Sequence, residues 1–152
     1  TSPTAANTNG IFAAVNGALI VNGVPRAVIT SADISIERGL EAANVVGSNF
    51  ASDVFTGRIR VTGNMSTYFE DGTFRDFFKD EVVVSVVLAL TSDNGKTAQA
   101  MSICLPKVKL GSATKADAEL GIVQQHSFTA LLNDVTSAGL PATTISIQDT
   151  SI

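Results

Sequence analysis

The chain has 152 residues, which is enough for one domain with a hydrophobic core. Its 14 acidic and 10 basic residues give a formal net charge of -4, which argues against binding nucleic acid by neutralising phosphates. No apolar run approaches the roughly 20 residues of a membrane-spanning helix, so no membrane partner is expected, and a single cysteine excludes an internal disulfide framework.

The composition is apolar for a chain without a membrane segment. Hydrophobic residues make up 45% of the sequence and charged residues only 16%. Two interpretations stay open. Either a large interface between subunits buries the apolar excess, or the core is unusually rich in Ala and Val.

The chain begins with a stretch unlike a folded domain. Residues 1–10 are small, polar and uncharged, which is typical of a flexible leader or linker. We therefore expect a single domain at residues 11–152. Its first element is a predicted hairpin, because Asn22-Gly23 separates residues 18–21 from residues 24–37 and suits a type I′ turn.

The second arm of this hairpin has one polar face. Four polar side chains alternate with apolar ones and so share one side of a strand. They are Ser31, Asp33, Ser35 and Glu37. The pattern predicts a sheet surface that is polar and acidic.

Periodicity lapses over residues 38–56, where small polar residues are mixed with valine and phenylalanine. A connection of this length is usually functional or disordered, and its phenylalanines argue against disorder. We expect an extended loop that packs on a neighbouring subunit, although a loop that folds back over its own sandwich fits about equally well. The candidate contact residues are Arg38, Leu40, Glu41, Val45, Phe50, Asp53 and Phe55.

Residues 57–80 predict a strand that turns directly into a short helix. Ile59, Val61 and Met65 fall on one parity and polar residues fall on the other, which indicates a half-buried strand. Gly63 interrupts the strand and indicates a bulge or a close approach of backbone.

The helix is predicted from the spacing of its aromatic residues. Phe74, Phe77 and Phe78 are three and four residues apart and so share one face. Asp71 is the expected N-cap. We expect this helix to plug one open end of a β-sandwich.

The rest of the chain indicates further strands separated by turns and loops. The predicted strands are residues 81–92, 96–109, 120–132 and 143–149. Residues 112–119 predict a polar connection or one helical turn, and Pro106 is expected at an edge, a bulge or a strand end. The predicted fold class is therefore mainly β: an antiparallel β-sandwich or partly closed barrel with one flanking α-helix.

No group of residues indicates catalysis. His126 is the only histidine, and no ligands at metal-binding spacing accompany it. Cys104 and His126 are formally a nucleophile and a base, but packing on strands explains both better. Gly95-Lys96-Thr97 lacks the earlier glycine of a phosphate-binding loop. We therefore expect no enzyme, no cofactor and no metal site.

Several short motifs resemble the tail tube proteins of long-tailed bacteriophages. The main motifs are Gly57-Arg58-Ile59-Arg60-Val61-Thr62-Gly63, then Thr67-Tyr68-Phe69-Glu70-Asp71, then Phe74 and Phe77. Similar to the same family, and in the same order, are the Asn22-Gly23 hairpin, Ala32-Asp33-Ile34-Ser35-Ile36, Arg38-Gly39-Leu40-Glu41 and the closing strand at residues 144–149. The resemblance covers most of the chain after Gly10.

This resemblance implies a structural protein of the virion tail, assembled in the bacterial host cytoplasm. Copies of the chain would form hexameric rings, or trimeric rings if the domain is duplicated, which stack into a tube for DNA ejection. Sheets would join across subunits into an inner barrel, and a long loop would reach the adjacent ring. The other implied partners are tail proteins such as the terminator, the tape measure and the distal tail protein.

The same resemblance implies a lumen through which DNA passes without being bound specifically. Asp33 and Glu37 are the hypothetical lumen residues, because a cationic wall would hold phosphates and an acidic wall would not.

One alternative function comes from a different class of protein. An immunoglobulin-like adhesion or carbohydrate-binding module is also mainly β, but such modules usually present clustered aromatic residues on an exposed face. The aromatic residues of this chain fall mostly in the predicted helix, strands and loop. An enzyme ranks well behind both.

Overall fold

The computed structural model describes residues 12, 14–26, 29–43, 46–47, 49–50, 52–69, 72–93, 95, 98–118, 121–134 and 139–150. These residues form a 3-10 turn at Ala14–Asn16, the helix α1 (Thr73–Lys79) and nine strands. The strands are β1 (Ala18–Val21), β2 (Val24–Pro25), β3 (Ile29–Ala43), β4 (Asp53–Tyr68), β5 (Val84–Thr91), β6 (Ala100–Leu110), β7 (Thr114–Ala118), β8 (Gly121–Leu131) and β9 (Ser146–Asp149).

The nine strands form one antiparallel sheet that is rolled but not closed. The strand order is β2-β1-β5-β6-β8-β4-β3, with β7 added to β8 and β9 added to β6. The two end strands, β2 and β3, are separated by only residues 26–28 along the chain. The sheet therefore has to roll until its two edges come close. The predicted fold class, mainly β and antiparallel with one flanking helix, is confirmed.

One hydrophobic core fills the rolled sheet. β1 and β4 are four strand spacings apart in the sheet order, which would be about 19 Å on a flat sheet. Val21 of β1 and Val61 of β4 nevertheless belong to the same buried cluster. Phe74 of α1 belongs to it as well, so the helix and the curled sheet share one interior. Each fully buried side chain of this size contributes about 1.5–3 kcal/mol.

The first hairpin has the turn that the sequence predicts. Asn22 and Gly23 have φ values of 52° and 78°, positive at both positions as a type I′ turn requires. The prediction that residues 24–37 form its second arm is wrong. β2 ends at Pro25, one residue before Arg26, whose N–H donates to the Leu19 carbonyl of β1 over 2.9 Å. β3 begins at Ile29 and pairs with β4 instead.

The helix confirms the predicted position but not every predicted role. Phe74 is buried and meets Phe77 edge to face, with ring centroids 6.2 Å apart. Phe78 departs from the expected shared packing face, because 39% of it is exposed and it lines a surface cavity. The predicted N-cap is also wrong: the cap position is Gly72, without a side-chain hydrogen bond, and Asp71 lies outside the described residues.

β6 and β7 follow the same edge of β8 one after the other. Residues 107–110 of β6 pair with β8 first, and residues 114–118 of β7 pair with it next. Between them lies Gly111, whose N–H donates to the Ser127 carbonyl over 2.8 Å. The predicted connection or helical turn at residues 112–119 is therefore wrong, because the free edge of β8 sets the conformation there.

Two residues singled out from the sequence lie at irregular places in the sheet. Pro106 falls where the register between β5 and β6 shifts, a bulge that tolerates a residue without an N–H. A Cβ on Gly63 would overlap the Asp33 carbonyl oxygen and come within 2.5 Å of Cζ of Phe128. The predicted close approach of backbone at Gly63 is confirmed.

Candidate assembly surfaces

The most exposed element is a ribbon formed by the far halves of β3 and β4. β8 pairs with β4 only over residues 61–68. Residues 53–60 of β4 therefore have β3 as their only strand partner within the described ranges. The ribbon extends beyond the rolled sheet and is termed the arm; its described residues are 38–43, 46–47, 49–50 and 52–59.

The arm occupies most of the predicted loop at residues 38–56, so that prediction is wrong in form. β3 continues to Ala43 and β4 begins at Asp53. Alternation of apolar and polar residues arises when one face of a strand is buried and the other is solvated. Apart from half-buried Ala43, the described arm residues are exposed. Apolar residues can therefore occupy both faces, and no alternation results.

One face of the arm combines an aromatic ring with two carboxylates. Glu41 is paired across the strands with Phe55, and Asp53 lies two residues away on the same side of β4. Phe55 is 61% exposed. The Asp53 carboxylate accepts a 2.8 Å hydrogen bond from the N–H of Val54. Glu41, Asp53 and Phe55 are termed the acidic aromatic face.

The opposite face of the arm is aliphatic. Leu40 and Val54 on this face are 58% and 53% exposed. At the tip of the arm, Phe50 is 83% exposed. Arg38 lies at the base of the arm, and Val45 lies outside the described residues. Large apolar side chains gathered on one projecting element are typical of a surface that a partner covers.

A second candidate surface is the outer face of β3, β4 and β8, termed the polar face. The register places Asp33 opposite Asn64 and Glu37 opposite Arg60, and the next strand continues the same side. The members of the polar face are Ser31, Asp33, Ser35, Glu37, Arg60, Thr62, Asn64, Ser66, Gln125, Ser127 and Thr129. Hydroxyl and amide groups therefore dominate it.

The charge on the polar face is of both signs rather than only acidic. The Asp33 carboxylate accepts hydrogen bonds from the N–H and Nδ2 of Asn64, both at 3.3 Å. Glu37 stands directly opposite Arg60. The two predicted lumen residues thus lie on one exposed surface, as the sequence pattern requires, but a cation and neutral polar groups accompany them.

Two further cations border the polar face and are locally neutralised. Lys107 bonds to Asp134 at 2.8 Å and Lys109 bonds to Glu81 at 2.6 Å. The hydrogen bond from its lysine lowers the pKa of each carboxyl group. Both pairs are solvent-exposed, so their effect on stability is small. Their consequence is electrostatic, because the lysines do not present unpaired positive charge to the surface.

Sequence reasoning missed the part of the polar face that β8 supplies. Gln125, Ser127 and Thr129 alternate with buried residues, so the strand itself was predictable. Its pairing with β4, about 60 residues earlier in the chain, leaves no mark in a single sequence. The width of the polar face therefore could not be predicted.

The interior holds one buried imidazole within the described residues. His126 is fully buried, its Nε2 is 3.4 Å from Oγ1 of Thr67, and its ring centroid is 5.3 Å from that of Phe74. Burial lowers the pKa of His126, and a backbone contact with Ser112 partly opposes this. Cys104 lies in a separate surface cavity, where burial raises the pKa of its thiol.

The parts of the chain that the structure describes hold no group of three or more His, Cys, Asp or Glu residues that could bind a metal ion. In the same parts, no helix has the length and apolar character needed to cross a membrane.

Comparison with known proteins agrees with this architecture. A family model described as phage tail tube protein matches residues 1–145. No curated protein matches the sequence. Two solved assemblies contain chains of similar fold. The tail of an empty GTA particle, computed with helical refinement and C6 symmetry, has a chain with 12% identity and a TM-score of 0.52, covering 74% of this chain and 90% of that chain.

The second assembly is the baseplate of the anti-feeding prophage (AFP), 6-fold symmetrised. One of its chains has 8% identity and a TM-score of 0.51 over 99% of this chain and 100% of that chain. At such low identity, both likenesses concern the fold alone.

Proposed function

Because the chain belongs to the phage tail tube protein family, we propose that its copies join into stacked rings with an arm-to-ring contact and a polar lumen. Membership of this family makes the chain a structural component of the tail tube, located in the tail of the virion.

We assign six copies to each ring. The two assemblies of similar fold have C6 or 6-fold symmetry, and we take residues 11–152 of each copy as one tube domain that follows a leader at residues 1–10. β3 has β4 as its only strand partner within the described ranges. Its other edge offers backbone N–H and C=O groups to a neighbouring copy.

The observation that carries the proposal is the arm. The arm is a two-stranded ribbon that extends beyond the rest of the sheet and has apolar side chains on both faces. An isolated two-stranded ribbon is marginally stable in water. Contact with a second copy would bury its exposed Leu40, Val54 and Phe55, so we assign the arm to the joint between successive rings.

The polar face is assigned to the lumen. Its hydroxyl and amide groups attract phosphates far less than lysine and arginine do, and the nearby Lys107 and Lys109 are engaged by carboxylates. DNA would pass such a wall without being held. We assign three further partners to the tube. The terminator and the distal tail protein would contact its two ends, and the tape measure protein would contact its interior.

Negative-stain microscopy of the purified protein at increasing concentration tests the proposal. Rings or tubes are expected above a threshold concentration. A monomer that persists at every concentration would contradict the proposal, and glycan binding by that monomer would favour an adhesion or carbohydrate-binding module instead.

A variant without the arm sharpens this test. Replacing residues 40–57 by Asn-Gly joins Gly39 to Arg58 through a two-residue turn and is expected to leave a folded protein that no longer stacks. The matched control is Asp33→Asn with Glu37→Gln, which alters the polar face without touching the arm and is expected to form tubes normally.

A further inference from the structure

An apolar cavity opens where the two edges of the rolled sheet approach each other. This seam cavity has a volume of about 420 Å³ and is lined by Leu19, Leu88 and Leu90 from one edge and by Ile29 from the other. Leu19 and Leu88 are paired across β1 and β5, so the cavity continues the interior face of the sheet. Its size and lining suit an aromatic side chain.

Among the described residues that line the seam cavity, Arg26 is the one that carries a charge. Its Nε is buried and has no hydrogen-bond partner among the described residues, and its guanidinium carbon lies 5.9 Å from the centre of the Phe74 ring. None of the ion pairs found within the described ranges includes it. A half-buried cation without a counter-ion favours the arrival of an anionic group from outside.

We propose that the seam cavity accepts the arm of a second copy, with Phe55 in the cavity and the Glu41 carboxylate on the Arg26 guanidinium. This inference rests on the proposed assembly into rings. Glu41 stands opposite Phe55 in the ribbon, so an aromatic side chain and a carboxylate enter together. An arginine–carboxylate contact of this kind is charge-assisted and directional. Asp53 is the poorer anion, because its carboxylate already accepts the N–H of Val54.

The arm of the same copy cannot reach this cavity. β3 begins at Ile29, which lines the cavity, and runs without interruption to Ala43. At about 3.3 Å per residue, Glu41 lies roughly 40 Å along the strand from Ile29. The ladder with β4 holds this stretch extended. The Phe55 and Glu41 that fill the cavity therefore belong to another copy.

Charge distinguishes the arm from the leader as the occupant. Residues 1–11 contain no Asp or Glu. The leader could fill apolar space, but it offers no side-chain carboxylate to neutralise Arg26. The acidic aromatic face supplies both requirements of the cavity, an apolar ring and an anion beside it.

A charge exchange tests the pairing, with the critical concentration for assembly measured by light scattering and microscopy. Arg26→Glu and Glu41→Arg are each expected to raise that concentration at least about tenfold, because each leaves like charges in contact. The double variant is expected to return to within about threefold of the parent. The matched control combines Arg26→Glu with Glu37→Arg on the polar face, which is expected to give no rescue.

Circular dichroism of each variant shows whether it folds. Folded single variants that assemble like the parent, or a folded double variant that assembles no better than the single ones, would overturn the pairing while leaving the ring proposal standing. Failure of the unaltered protein to assemble would overturn both.

Cross-linking tests the contact without relying on charged variants. In a Cys104→Ser background, Phe55→Cys protein is mixed with Leu90→Cys protein under mild oxidation. A disulfide-linked dimer of the two is expected at assembling concentrations. Leu132→Cys, at a site 65% exposed in the parent and outside the cavity lining, replaces Leu90→Cys as the control. Equal yields with both partners, or no dimer with Leu90→Cys, would overturn the proposed site.

Discussion

Gly57 packs directly against the backbone of Gly39 at the base of the arm, where the register between β3 and β4 shifts. A Cβ built on Gly57 would overlap the carbonyl oxygen of Gly39 and lie 3.1 Å from its Cα. The relation is not symmetric: a Cβ built on Gly39 meets only the Cα of Gly57, at an ordinary 3.8 Å. The glycine at position 57 is therefore required by space, and the glycine at position 39 is not.

The first prediction follows from this asymmetry. Gly57→Ala is expected to force the strands apart and to destabilise the fold by about 1–3 kcal/mol, as overpacking does elsewhere, with loss of stacking. Gly39→Ala is the matched control and is expected to change both properties little. Urea unfolding and microscopy of assembled tubes measure the two effects. Equal behaviour of the two variants would contradict the assigned packing.

A second prediction separates folding from assembly by comparing two phenylalanines. Phe74 is 5% exposed and lies in the core cluster, so Phe74→Ala is expected to cost about 3–5 kcal/mol of stability. Phe55 is 61% exposed, so Phe55→Ala is expected to change the stability of the free copy by less than about 0.5 kcal/mol and to prevent stacking. Denaturant unfolding and sedimentation of the same samples check both results.

A third prediction concerns pH. Burial holds the pKa of His126 below its ordinary value, so the unfolded chain binds more protons than the folded one. The stability that follows from neutral His126 is complete above the unfolded pKa of about 6.5 and is lost as pH falls toward the lower folded pKa. Unfolding midpoints measured between about pH 7.5 and 5.5 are expected to decrease. In His126→Gln this slope should be reduced, and an unchanged slope would show that other groups cause it.

A fourth prediction addresses the lumen assignment. Asp33→Lys with Glu37→Lys is expected to leave tube assembly intact and to make the tubes retain duplex DNA, with an affinity that falls steeply between about 50 and 200 mM salt. Asp33→Asn with Glu37→Gln is the control for loss of negative charge alone. Fluorescence of labelled DNA that sediments with tubes measures retention. Lysine-bearing tubes that retain no more DNA than the parent would exclude these residues from the lumen.

The features that could be predicted from the sequence are those that a local pattern encodes. The Asn22-Gly23 turn follows from a requirement for positive φ at two adjacent residues, and α1 follows from the three- and four-residue spacing of its phenylalanines. The strand around Gly63 could be predicted from its alternating apolar and polar residues, because one face of this strand is buried in the core of the same copy.

The features that could not be predicted depend on distant partners. Apolar and polar residues do not alternate along the arm, because no described residue of the same copy covers either of its faces. The sequence pattern of residues 38–56 therefore predicted a loop. β7 has the composition of a connection and is a strand only because β8 offers a free edge. Arg26 gave no signal, because its position at the seam results from the rolling of the whole sheet.

The seam between β2 and β3 also bears on the order in which the chain acquires its surfaces. The arm is a local hairpin, so its two strands can pair early, although the ribbon alone is only marginally stable. The seam cavity, in contrast, needs β1 to find β5 across about 65 intervening residues, a slow step in which long loops must close. A newly made copy is therefore expected to form its arm before its seam cavity. The rate at which the tube grows would then be limited by folding of the seam cavity. This order disfavours association between chains that are not yet completely folded.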